Sequence, residues 1–257
     1  GVRVSGNNTS RVFYMSAPVS IKALTLQNGK AGGGGSGGDG GNIYATPALT
    51  LTDAAVLTGT ALRNGGGVYV IGTALLINTQ FSSNTAGNDG GGVNAENANI
   101  ASAGGSFQNN SAAQRGGGLK IFEGALTGTQ FLSNTAGTAG GGVWAQNLDS
   151  TIVFTQVVFV GNTAQSEDGG GAKINALLRV VGGLFERNQA VTYGGGLYVG
   201  GALNMTGTQF LSNTADSGGG LNILAPMADS SLTNVTFRGN TADFVGGGGS
   251  LFVPPPY

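Results

Sequence analysis

Acid–base chemistry in this chain has to come from carboxylates. The 257 residues include 12 Asp and Glu and 11 Lys and Arg, but no His and no Cys. Lack of His removes the commonest general base near neutral pH. Lack of Cys removes thiol catalysis, zinc–thiolate sites and disulfides. A glycosidase needs two facing carboxylates about 5 to 9.5 Å apart. Asp89, Asp168 and Asp216 each stand just ahead of a run of glycines, which gives them a shared corner. Their copies lie several repeat units apart, too far for that pair. Glu167 and Asp168 fall in an insertion expected to face water, and Glu186 with Arg179 and Arg187 reads as a surface ion group. The glycine-rich segment Gly29 to Asn42 carries Lys30, Ser36 and Asp39. It lacks the Gly-Lys-Ser/Thr ending and the following helix of a phosphate loop, and is expected to be an expanded corner. No catalytic, metal or cofactor site emerges, and the chain is read as a non-enzyme.

The elements that would position such residues come from a repeat, which has to be recognised before anything else. Phe81, Phe107, Phe131, Phe159, Phe185, Phe210 and Phe237 are spaced 24 to 28 residues apart. Three residues after each stands Asn84, Asn110, Asn134, Asn162, Asn188, Asn213 or Asn240, and five after each stands Ala. Glycine triplets begin at Gly65, Gly90, Gly116, Gly140, Gly169, Gly194, Gly218 and Gly246. Val56, Gly59 and Ala61 form an earlier, weaker copy.

Alternating apolar residues follow each triplet (Val68 and Val70, Val143 and Ala145) and precede each Phe (Ile152 and Phe154, Leu203 and Met205). A period of two is that of strands. Each unit therefore reads as about three short strands separated by bends. Three residues before each Phe comes a turn former or other polar residue, among them Asn78, Gly104, Gln156 and Gly182. Such a unit cannot bury its apolar side alone, but stacked units can, pairing in parallel about 4.8 Å apart. Phe then stacks on Phe. Asn, which tolerates the left-handed region, is expected at a bend with its amides laddered from unit to unit.

The expected fold is all-β: a single right-handed parallel β-helix over residues 1–253, with about 9–10 coils of about 25 residues. Residues 1–42 supply the N-terminal coils or a cap and the glycine-rich loop. Insertions at Leu148 to Thr151, Gln165 to Asp168 and Pro226 to Ser230 are assigned to corners, and 254–257 to a Pro-rich tail. Charged residues are 9% of the chain, against about 25% in ordinary domains. With a net charge of −1 there is no basic field for nucleic acid. No apolar run reaches the ~20 residues of a membrane helix.

One outward row stands out two residues after the triplets. Tyr69, Asn94, Lys120, Trp144, Lys173, Tyr198 and Asn222, with Tyr44 aligned, would form a line along one face. Aromatic and cationic side chains in line could stack on sugar rings or meet another subunit. The blander alternative is that Tyr and Trp favour strands and shield the glycines.

Phe-x-x-Asn alternating with Gly-Gly-x-aliphatic, over roughly residues 56–253, resembles the repeat of the chlamydial polymorphic outer-membrane proteins and related bacterial surface proteins. The resemblance implies a right-handed parallel β-helix and a secreted or cell-surface location in a bacterium. It departs in one respect, since that repeat usually reads Gly-Gly-Ala and this chain has Gly in the third place. The expected function is that of a non-enzymatic structural protein, self-assembling into a filament or surface layer, or acting as an adhesin. Its partner would be itself, or a cell-surface glycan or protein. A carbohydrate-binding module using the row, and a polysaccharide lyase or hydrolase of the β-helix class, are the two alternatives.

Overall fold

The computed structural model describes residues 1–224 and 230–252. The insertion at Pro226 to Ser230, apart from Ser230, and the tail 254–257 lie outside them. The described chain winds as a parallel β-helix whose strands stack coil upon coil in three walls. The first wall is a 10-stranded sheet running from Val2–Ser5 through Gln130–Leu132 to Thr236–Arg238. The second is made of two-residue strands such as Thr135–Ala136, and continues in Thr214–Ser217 and Thr241–Val245. The third is a 15-stranded sheet from Phe13–Met15 to Gly249–Phe252. Stacking thus begins at Val2, and residues 1–42 supply coils of the same walls rather than a separate unit.

Phe pairs with Phe across the last seven strands of the first wall. The seven rings form one stack with centroids 4.6 to 5.0 Å apart and planes 9° to 13° from parallel. The column continues into the first coils through Val56, Leu26 and Val4. Burying each ring contributes roughly 1.5–3 kcal/mol, and each offset ring pair about 0.5–1.5 kcal/mol beyond that.

Beside the rings runs the Asn column, from Asn84 to Asn240. Asn110 is typical of its interior. Its Nδ2 donates to Phe81 O at 2.9 Å and to Asn134 Oδ1 at 3.0 Å. Its Oδ1 accepts from the Asn84 backbone N–H at 3.1 Å and Asn84 Nδ2 at 2.9 Å. Every hydrogen-bonding position of this buried amide is filled, as burial demands. The left-handed bend is not at Asn, as the sequence suggested, but one residue earlier. Asn28, Thr58, Ser83, Asn109, Ser133, Gly161, Arg187, Ser212 and Gly239 all have φ between 50° and 65°. The reason is geometric: a bend at that residue turns the Asn side chain inward. The bend three residues before each Phe is where the sequence put it, with φ of 47° at Asn78 and 52° at Gln156.

The glycine triplet is fixed from both ends. Gly140 has φ +66°, and a Cβ there would stand 2.4 Å from Val143 O. A Cβ on Gly142 would stand 2.9 Å from Cδ1 of Phe159 in the next coil. The third glycine, where the resembling repeat has Ala, is therefore the surface on which the next ring lies.

Two expectations about the third wall need correction. Strands after the triplet and before Phe are not separate in every coil. They fuse in Val68–Ile77, Val93–Ala103, Val143–Thr155 and Ala172–Val181. Leu148 to Thr151 is accordingly no corner. It bulges within Val143–Thr155, where pairing with Ala172–Val181 shifts register between Gln146 and Thr151. The bulge holds together because the buried Ser150 hydroxyl donates to Asn147 O at 2.8 Å, while Leu148 points outward.

Candidate functional site

Tyr44, Tyr69, Asn94, Lys120, Trp144, Lys173, Tyr198 and Asn222 do pair in one unbroken line across the third wall. Tyr14 extends the line at one end and Ser250 at the other. The line is not an open face, however. Tyr44, Tyr69, Trp144 and Tyr198 are only 6% to 8% exposed, and Asn94 is fully buried. What covers them is a second column five residues earlier in each coil, directly ahead of each glycine turn. It runs Asp39, Asn64, Asp89, Arg115, Ala139, Asp168, Tyr193, Ser217 and Val245. Backbone bonds carry it from coil to coil, as in Gly65 N–H to Asp89 O and Gly90 N–H to Arg115 O. Strand alternation shows which side of the wall a residue takes. It does not show what lies over it, and the fixed offset of five from the row was the signal that could have revealed the cover.

The two columns interlock. Asp89 Oδ1 accepts the Arg115 backbone N–H at 3.2 Å and Arg115 Nε at 3.1 Å. Asp89 Oδ2 accepts Arg115 Nη2 at 2.9 Å and Lys120 Nζ at 3.0 Å. Lys120 also reaches Glu96 at 3.1 Å. The Arg115 guanidinium then lies 4.4 Å over the Trp144 ring, a cation–π contact in which Arg and Trp are the favoured partners. One coil on, Lys173 Nζ binds Asp168 at 2.7 Å and sits 5.3 Å over Tyr198. At the N-terminal end Arg11 stands 5.3 Å over Tyr44, which stacks between Tyr14 and Tyr69. Arg11 also grips the glycine-rich corner, donating to Asp39 O at 2.6 Å and Gly40 O at 2.9 Å. That corner contains a 3-10 turn, Gly35–Gly38, as an expanded loop would.

Asp168 overturns a further expectation. It is buried, not solvent-facing, because the Thr192 hydroxyl donates to it and Lys173 neutralises it. Glu167 beside it does face water. Asp216 falls one residue short of the covering column, where Ser217 stands instead. Asp39 begins the covering column, with Asn64 donating its backbone N–H at 3.1 Å and Nδ2 at 3.0 Å. Glu186 pairs with Arg187 at 2.6 Å on the first wall, while the exposed Arg179 belongs to the third.

Burial pushes the phenols of Tyr69 and Tyr198 up to about 12, with Glu96 and Asp168 respectively adding to the effect. Burial lowers the Arg11 pKa. Asp89 and Asp168 are three coils apart in the column, hence about 14 Å apart at the strand spacing, beyond the glycosidase range. Among the described residues no group of three or more Asp and Glu is gathered as for a metal ion.

Past Tyr198 the interlocking stops. Ser217, Asn222, Val245 and Ser250 replace the ion pairs and large rings, and a groove of about 490 Å³ opens between the columns. Tyr193, 47% exposed, stands at its edge. No family model, no curated protein and no solved structure matches this chain.

Proposed function

We propose that this protein is a non-enzymatic structural element, secreted or held at a bacterial surface, that assembles with copies of itself. One observation carries the reading: the ion pairs of the third wall, built on the buried Asp89 and Asp168, are engaged in joining one coil to the next. Asp89, Arg115, Lys120, Asp168 and Lys173 bridge neighbouring coils or hold the bridging residue, and none presents a carboxylate pair to solvent. The resemblance of the repeat to bacterial surface proteins supports the location. The reading predicts that purified protein releases no reducing or unsaturated ends from acidic polysaccharides, and that electron micrographs show fibres, rods or layers. Turnover of such a substrate, or isolated particles at high concentration, would sink it.

The adhesive alternative is favoured by the groove beside Tyr193, which Tyr198 and Asn222 at the end of the row also line. If a sugar or peptide is bound, a glycan array should lose its signal on Tyr193→Ala and keep it on Lys120→Met.

A further inference from the structure

We infer that copies of this chain pair side by side through the outer face of the third wall, with their columns running in opposite directions. The inference rests on the self-assembly reading and specifies its geometry. The face is formed by the stretches that lead up to the bend before each Phe, in Val68–Ile77, Val93–Ala103, Glu123–Thr127, Val143–Thr155, Ala172–Val181 and Leu203–Thr206. It lies inside the stack, since Ala48–Thr52 pairs on one side of it and Ser231–Thr233 on the other.

Alternate residues of these stretches point outward. Leu75, Ala101, Ala125, Val153, Arg179 and Asn204 pair in one line along the middle of the face. Leu75 is 39% exposed, and Leu177 next to that line is 38% exposed. From Thr73 to Thr206 the outward residues of these stretches are Thr, Asn and apolar types except for Glu123 and Arg179. The exposed Asp149 borders the face on the bulge. Six coils of five residues give an outline of about 29 by 17 Å. Two such faces together cover about 1,000 Å² before side-chain relief is counted, which reaches the lower bound for a specific interface. The two alanines near the centre let a second sheet approach to the ordinary packing distance of about 10 Å.

Charge selects the direction. Arg179 is exposed and forms no ion pair among the described residues. Glu123 accepts Asn99 Nδ2 at 3.1 Å and meets no cation among them either. With the columns opposed and the six coils overlapping, Arg179 of one copy faces Ala101 of the other. That is one coil and two residues from Glu123, about 8 Å along the face, within reach of two long side chains. Symmetry repeats the pair. With the columns in the same direction, Arg179 faces its own counterpart instead. Such complementarity selects partner and register more than it adds affinity. A contact between like faces is isologous and closes at two copies, leaving the first and second walls for any further contact that builds fibres or layers.

Outward substitutions test this without touching the core, and thermal melts establish that each variant is folded. Sedimentation over a range of concentrations reads the first association step. The unaltered chain should form pairs. Ala125→Lys, which sets a charge at the centre of the face, should raise the dissociation constant of the pair at least about tenfold, as should Glu123→Arg alone and Arg179→Glu alone. Glu123→Arg with Arg179→Glu in one chain should restore pairing, because each reversed charge again meets its opposite on the other copy. Unimpaired association of all three single variants would overturn this face and leave self-assembly standing. Loss of pairing on Ala125→Lys with no recovery in the double reversal would overturn the opposed direction. An unaltered chain that stays monomeric removes the face and self-assembly together.

Discussion

Each interior asparagine of the corner column bonds to the coil before it and the coil after it. Asn134 accepts from the Asn110 backbone and side chain, and its Nδ2 donates to Phe107 O and Asn162 Oδ1. Asn134→Ala strips partners from several groups that remain buried. At about 1–3 kcal/mol for each orphaned group, the loss should be several kcal/mol, read from the denaturant midpoint. Asn134→Asp should not rescue it, since a carboxylate keeps the acceptor, loses both donors and buries a charge. The tyrosines of the row supply a second prediction at this scale. Unfolded Tyr ionises near 10, while Tyr69 and Tyr198 hold their protons to about 12. Between those values the folded chain binds more protons than the unfolded one, so stability falls as pH rises. Below pH 10 this contribution is fully present. A spectrophotometric titration should show late-ionising phenols, and melting temperatures should drop across the same interval.

Within one coil, the sequence disclosed positions better than surroundings. Phe131 and Asn134 could be stacked from their offsets alone, because parallel pairing in register places equal positions over one another. The bend at Gln156 was equally visible, since its equivalents are mostly Gly and Asn. Trp144 can be placed in its line from the sequence, but not in its surroundings. Its cover comes from Arg115, in a different column of the preceding coil, and a period of two says nothing of that contact. Asn42 is another such case. The coil with Val56 has Gly59 where Asn is due, and Asn42 reaches across to fill the gap, donating to Leu57 O at 3.0 Å and accepting Gly29 N–H at 2.9 Å. A Cβ at Gly59 would stand 2.4 Å from Asn42 Nδ2, so the missing Asn and the added one are a single exchange. The row's covered state also changes what substitution should do. Trp144→Ala should cost about 3–5 kcal/mol, as for a buried aromatic side chain, with loss of the Arg115 contact. Leu148→Ser, on the outer side of the bulge, should stay within about 0.5 kcal/mol.

As a whole molecule the protein is a column of similar layers, each touching only the layer before and the layer after. Stability in such an array is a sum over layers and their interfaces, with end layers the weakest. The described C-terminal coil fits this: Phe237 is only partly buried, whereas Phe131 and Phe159 are fully so. The described chain begins at one extremity of the column and runs to the other. Tension applied between those two points therefore acts on the layers in series and peels the outermost first. Held in an optical trap or by a cantilever, the protein should lengthen in a regular sawtooth. Each tooth should release about 25 residues, on the order of 80–90 Å of contour. A single all-at-once rip would mean that tension is shared across the layers instead of being met one layer at a time.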